Sequence, residues 1–147
     1  MTRTHRWRIG AGLGIGIGLL TGCLAFAGSS LPQLPVVRCR LSTLRGQYVY
    51  TGQGKDNNGN LVAESGWEIY NGDGTMNGMY SQSTNGTIIS RDTYTGNYTV
   101  NSDCSGTLTT SDGSHYDQFI SQLGNKFMWI ETDTGFTFSG GEWRSDQ

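Results

Sequence analysis

At 147 residues the chain has room for one domain. It has 23 glycines but only two prolines, with seven Tyr, four Trp and five Phe, a composition that suits short strands joined by tight turns and excludes low-complexity disorder. The net charge of −2 becomes −5 once the basic N-terminal start is removed, leaving seven basic against twelve acidic residues; this argues against nucleic acid or an anionic membrane surface as partner.

In chain order, Arg3, Arg6 and Arg8 precede the uncharged run Gly10 to Leu20. A basic start and a short apolar run predict a secretory signal, too short to span a membrane. Two processing sites compete. Leu20-Thr21-Gly22-Cys23 resembles the lipobox of bacterial lipoproteins, giving a signal over 1–22 and a lipid on Cys23. Ala25-Phe26-Ala27 is an A-x-A site, giving a signal over 1–27. Both place the protein outside the cytoplasm: periplasmic, extracellular, or tied to the envelope through a lipid alone.

Residues 28–44 hold both prolines and show no clear period, so they read as a linker and lead-in to a domain over 45–147. With Cys23 lipidated or removed, Cys39 and Cys104 form an even pair in an oxidising compartment and are expected to bond. Two separate buried thiols are the alternative.

From Gly46 onward, runs of period two alternate with turn clusters. The predicted strands are Gln47–Thr51, Leu61–Tyr70, Thr75–Gln82, Thr87–Thr93, Tyr94–Val100, Cys104–Thr110, His115–Ser121, Lys126–Thr132 and a last one carrying Phe136, Phe138 and Trp143. The turns between them include Asp56–Asn60, Asn71-Gly72-Asp73-Gly74, Thr84-Asn85-Gly86 and Ser111–Ser114. No stretch of ten residues shows a 3.6-residue period. The fold class is therefore all-β, an antiparallel up-and-down meander of eight or nine strands. Closure into a small barrel would remove its exposed edges, and a two-sheet β-sandwich is the alternative.

The central hairpin also carries a resemblance. Gly96 to Thr107, with the pattern G-x-Y-x-V-x-x-D-C-x-G-T, resembles a segment of small exported bacterial proteins. The meander is similar to the barrel of allene oxide cyclases and other calycin-type proteins. That likeness implies a fold across about residues 45–143 and no catalytic residue.

Chemistry is sparse. Beyond the signal, His115 is the single histidine and both cysteines are claimed, so neither zinc nor any other metal is expected. Asp56, Asn58 and Asn60 alternate as in a calcium loop, but Gly59 falls at the fourth position instead of the sixth, and Trp67 stands where the bidentate Glu belongs. No nucleophile elbow, phosphate loop or dinucleotide fingerprint occurs, so no cofactor and no catalytic constellation is identified.

Glu64 and Glu68 share one parity of their strand, and Trp67 and Ile69 the other; with the latter pair inside, both glutamates would face solvent. Glu131 shares parity with Phe127 and Trp129, although Met128 and Ile130 compete for the same interior. If that face is the lumen, Glu131 is a polar anchor or proton-transfer group near a barrel mouth. Tyr98, Trp129 and Phe138 are expected to line the lumen, with Gly96 and Gly106 leaving space beside them. The expected role is binding a small hydrophobic or aromatic ligand or an envelope partner; a cyclase or isomerase acting in the lumen is the alternative.

Overall fold

A computed structural model describes residues 38–145. The signal segment, with Cys23, lies outside these residues. Eight strands follow in sequence: β1 (Arg45–Lys55), β2 (Leu61–Asn71), β3 (Thr75–Thr84), β4 (Thr87–Val100), β5 (Ser105–Thr110), β6 (His115–Ile120), β7 (Lys126–Glu131) and β8 (Thr137–Arg144). Each pairs antiparallel with its neighbour, and β8 returns to pair with β1, from Tyr48↔Arg144 to Lys55↔Thr137. The meander closes into a barrel, so every edge is paired.

The turns fall where short polar side chains can bond nearby backbone. Asp56 accepts hydrogen bonds from the Asn58 and Asn60 amides at 2.9 and 2.8 Å and from the Asn60 side chain at 2.8 Å. This is a polar hairpin turn, and among the described residues no group of three acidic, Cys or His side chains is placed to hold a metal. Gly72 and Gly74 in the next turn have φ of 82° and 100°, a region that favours glycine.

The structure has eight strands and not nine, because Thr87–Thr93 and Tyr94–Val100 are one strand with a β-bulge. The register steps from Tyr80↔Asp92 to Gln82↔Ile89, so β4 carries one extra residue. Arg91, at φ 55°, absorbs it, and its amide donates to Ser81 Oγ at 3.2 Å. The parity change at the bulge makes one continuous strand read as two.

One end of the barrel is closed by the segment before β1. Leu41–Thr43 forms a 3-10 turn, and Leu44 behind it is fully buried. A disulfide between Cys39 and Cys104, 65 residues apart, ties this segment to the β4–β5 turn. The Tyr98 hydroxyl lies 3.0 Å from the Leu44 carbonyl and 3.2 Å from that of Leu41. The Tyr48 hydroxyl donates to the Gly124 carbonyl and accepts from Arg144 at 2.9 Å. The described part of the lead-in is thus a plug held by one covalent and several polar contacts.

Behind the plug, Tyr48, Tyr70, Tyr98 and Phe127 pack edge to face, with centroids 4.9 to 5.5 Å apart. Such ring pairs add about 0.5–1.5 kcal/mol each beyond area burial. Gly96 and Gly106 leave no room here. A Cβ on Gly96 would lie 2.8 Å from Leu108 and 2.9 Å from Met76, and one on Gly106 would lie 2.3 Å from the Thr99 carbonyl.

Candidate functional site

Strands alternate their side chains, so a closed barrel sends every second residue inward. Tyr48, Tyr50 and Gly52 of β1 point in; because directly opposed residues share a face, so do Glu68, Gly66 and Glu64 of β2. The expectation that Glu64 and Glu68 face solvent is overturned. Trp67 and Ile69 lie half-buried on the outer wall instead. The inward parity of β2 also carries Val62 and Tyr70, whose burial outweighs leaving the other two partly wet.

Three interior rings lie flat on the wall, each over a directly opposed glycine. Tyr50 stands against Gly66, Tyr94 against Gly78, and Trp129 against Gly140, with Gly52 beside it. A Cβ on Gly140 would come within 2.4 Å of the Trp129 ring, on Gly52 within 2.4 Å, and on Gly78 within 2.8 Å of Tyr94. Rings pressed to the wall in this way cover the glycines and do not cross the lumen.

The half of the barrel away from the plug is therefore hollow. A cavity of about 360 Å³ runs from Glu68 and Glu142 at its base to Asp56, Asp112 and Phe136 at the mouth. That volume is at the lower end of the ~300–1,000 Å³ of small-molecule sites. Apolar surface comes from Val62, Leu108, Trp129 and Phe138, with Tyr50, Tyr80, Tyr94 and Tyr116 between them.

The polar groups form two levels. At the base, Tyr94 donates to Glu68 Oε1, Tyr50 donates to Glu64 Oε1, and Gln82 donates to Glu64 Oε2 at 3.0 Å; the two hydroxyls lie 3.3 Å apart. Glu68 is 4% exposed and Glu142 1%, and the Oε2 atom of each finds no donor among its neighbours. Burial raises both carboxyls: for Glu142 the charge of Glu68 adds to burial and holds the group well above the ordinary range, while for Glu68 hydrogen bonds, that from Tyr94 among them, work against the rise. Burial likewise raises Glu64, against the hydrogen bonds from Tyr50 and Gln82. Tyr50 and Tyr94 stay protonated because burial and the adjacent carboxylates oppose a phenolate.

Near the mouth, Glu131 is 7% exposed, and burial, followed by the charges of Asp133 and Asp112, pushes it up to about 7. Asp56, Asp92 and Asp112 add three more carboxylates around the opening. Among the described residues Lys55 is the single basic side chain lining the cavity. His115, which faces outward, pairs with Asp133 at 2.9 Å on the surface and takes no part in the lumen.

Of the residues singled out from sequence, Trp129, Phe138 and Glu131 line the cavity together, and Met128 and Ile130 are outside. Tyr98 points inward but belongs to the plugged half, with its hydroxyl turned to the lead-in. Tyr50, Glu64, Glu68, Tyr94 and Glu142 were not foreseen in this role. The tyrosine–glycine pairs across neighbouring strands are the signal that would have found two of the five, Tyr50 and Tyr94.

No protein-family model matches the chain, and no curated protein does. Among solved structures, a de novo designed fluorescence-activating β-barrel is similar: 12% identity, a TM-score of 0.48, and coverage of 71% of this chain and 96% of that one.

Proposed function

We propose that the protein is exported and that the open half of its barrel binds one small hydrophobic or aromatic molecule. The hollow lumen carries this reading. Rings held against glycines leave about 360 Å³ lined by aromatic and aliphatic side chains together with hydroxyl, amide and carboxyl groups. A fold that needed only a core would fill that space, since protein interiors tolerate few voids larger than a water. Glu131 at the mouth serves as one polar anchor. Export is supported by the basic-apolar N-terminal pattern and by the disulfide, which suits an oxidising compartment. Intact mass of the processed protein distinguishes a lipidated Cys23 from a chain beginning at Gly28.

The test of binding is a titration of the processed protein with environment-sensitive apolar dyes. The expected result is saturation at one dye per barrel, with energy transfer from tryptophan that falls in Trp129→Phe. Folded protein that binds no dye would make the rings an ordinary core and overturn the proposal.

A further inference from the structure

Nothing in the apolar lining explains why the base of the cavity is built from two facing carboxyl groups. Glu68 arrives from β2 and Glu142 from β8, on either side of β1. Each is buried beyond nine-tenths, each lines the cavity, and the Oε2 atom of each is buried without a hydrogen-bond partner. Unpaired buried carboxyl oxygens cost free energy, about 1–3 kcal/mol per unmade hydrogen bond and more when charged. A ligand able to donate there recovers that cost.

We propose that the natural ligand is a small organic cation, an aromatic or arylalkyl amine whose ammonium group donates to Glu68 and Glu142 at the base of the lumen. The inference rests on the lumen being a small-molecule site and adds the ligand's charge class. Three observations converge on it. An ammonium has three donors and no acceptor, which matches a site whose free positions are acceptors. Tyr50, Tyr94 and Trp129 surround the same level of the lumen, and ring faces attract cations. The mouth is acidic, with Asp56, Asp112 and Glu131 against Lys55, so a cation is drawn in and an anion repelled. No three carboxyl groups converge on one point among the described residues, which favours a bulky cation with directed N–H bonds over a bare metal ion.

Binding has a proton balance. The empty pair holds one proton between two carboxyl groups, and the arriving ammonium takes its place. One proton leaves to solvent for each amine bound, and no bond other than hydrogen bonds is made or broken. The groups facing the pair are Tyr48 and Tyr50 from β1, Glu64 and Tyr70 from β2, Tyr94 from β4, Gln118 from β6 and Phe127 from β7. Of these only Glu64 is an acid, and it already accepts from Tyr50 and Gln82. Affinity therefore rises with pH while the pair is the proton source; ionisation of Glu131 acts in the same direction by making the mouth more negative.

Isothermal titration of the processed protein with 2-phenylethylamine, 2-phenylethanol and 3-phenylpropionate separates the possibilities. These probes share a ring and differ in charge. The amine is expected to bind at least tenfold more tightly than the alcohol, and the carboxylate more weakly than either. Heats in buffers of different ionisation enthalpy should show proton release with the amine and none with the alcohol, a readout that needs no mutant. In Glu142→Gln and Glu68→Gln the amine should lose at least tenfold and the alcohol less than twofold, with near-ultraviolet circular dichroism confirming the fold. Equal binding of amine and alcohol would overturn the cation inference and leave the small-molecule site standing. Amine preference that survives both substitutions would place the ammonium at the acidic mouth and also overturn it. If neither these probes nor the apolar dyes bind, both proposals fall.

Discussion

Glu68 and Glu142 sit on strands that never pair with each other, yet their carboxyl groups meet over β1, where Tyr48 opposes Glu68 and Tyr50 opposes Glu142. A chain that buries two acids side by side keeps a proton between them, because both ionised at once would face burial and mutual repulsion together. The hollow half of the barrel begins at this pair.

Stability should follow from those protons. Glu64, Glu68, Glu131 and Glu142 are all held above the usual carboxylate value, so the folded barrel binds more protons than the unfolded chain. Their contribution is complete below the unfolded pKa and is lost as pH rises through the folded values; for Glu131 that window is about 4.5 to about 7. The surface aspartates Asp56, Asp73, Asp103 and Asp133 act oppositely, but only below their ordinary value. Thermal midpoints should fall between pH 5 and pH 8, and Glu131→Gln should flatten the fall. A midpoint that rises over that range would contradict the placement of these groups.

Tyr94→Phe keeps the ring over Gly78 and deletes the donor to Glu68 Oε1. Leaving a buried acceptor short should cost about 1–3 kcal/mol in denaturant unfolding at neutral pH. A substitution without effect would mean that the hydroxyl is easily replaced by water.

Gly140→Ala tests the seat of the indole. The added Cβ would meet the Thr51 carbonyl at 2.3 Å and the Trp129 ring at 2.4 Å, so something must move. The expected outcome is a loss of about 1–3 kcal/mol, the usual range for overpacking, together with a shifted tryptophan emission. Unchanged emission would show that the ring does not depend on the glycine.

The disulfide ties a segment that is otherwise short of strand contacts. Replacing both Cys39 and Cys104 by Ala should destabilise the barrel by about 2–5 kcal/mol. The loss should be accompanied by faster amide exchange around Leu44 and Tyr98, which the plug covers.

The strand order and the closed barrel were legible because the turn tetrads and the period of two agree in almost every hairpin. Asn71–Gly74 and Ser111–Ser114 fix their neighbours' register within a residue. The bulge at Arg91 was not legible, since a positive φ at an arginine leaves no mark in sequence. The two inward glutamates of β2 were hidden for a different reason. This barrel wears apolar side chains outside as well as inside: Val49, Phe119, Met128, Ile130 and Trp143 are all exposed. With apolar groups on both faces, Trp67 and Ile69 do not mark the interior. Glu131 was legible because Phe127 and Trp129 share its parity over a short strand.

That outer apolar face also supplies the control for the most direct measurement of the lumen as a binding site. Val62 lines the cavity near the mouth, opposite Gly54 and Thr84, and Val62→Trp would place an indole in the open space. Met128→Lys alters the outer wall and leaves the lumen untouched. Dye titration of the two variants beside the parent should show one site lost in Val62→Trp and unchanged in Met128→Lys. The reverse pattern, with binding intact in Val62→Trp and lost in Met128→Lys, would move the site to the barrel's surface and contradict the account.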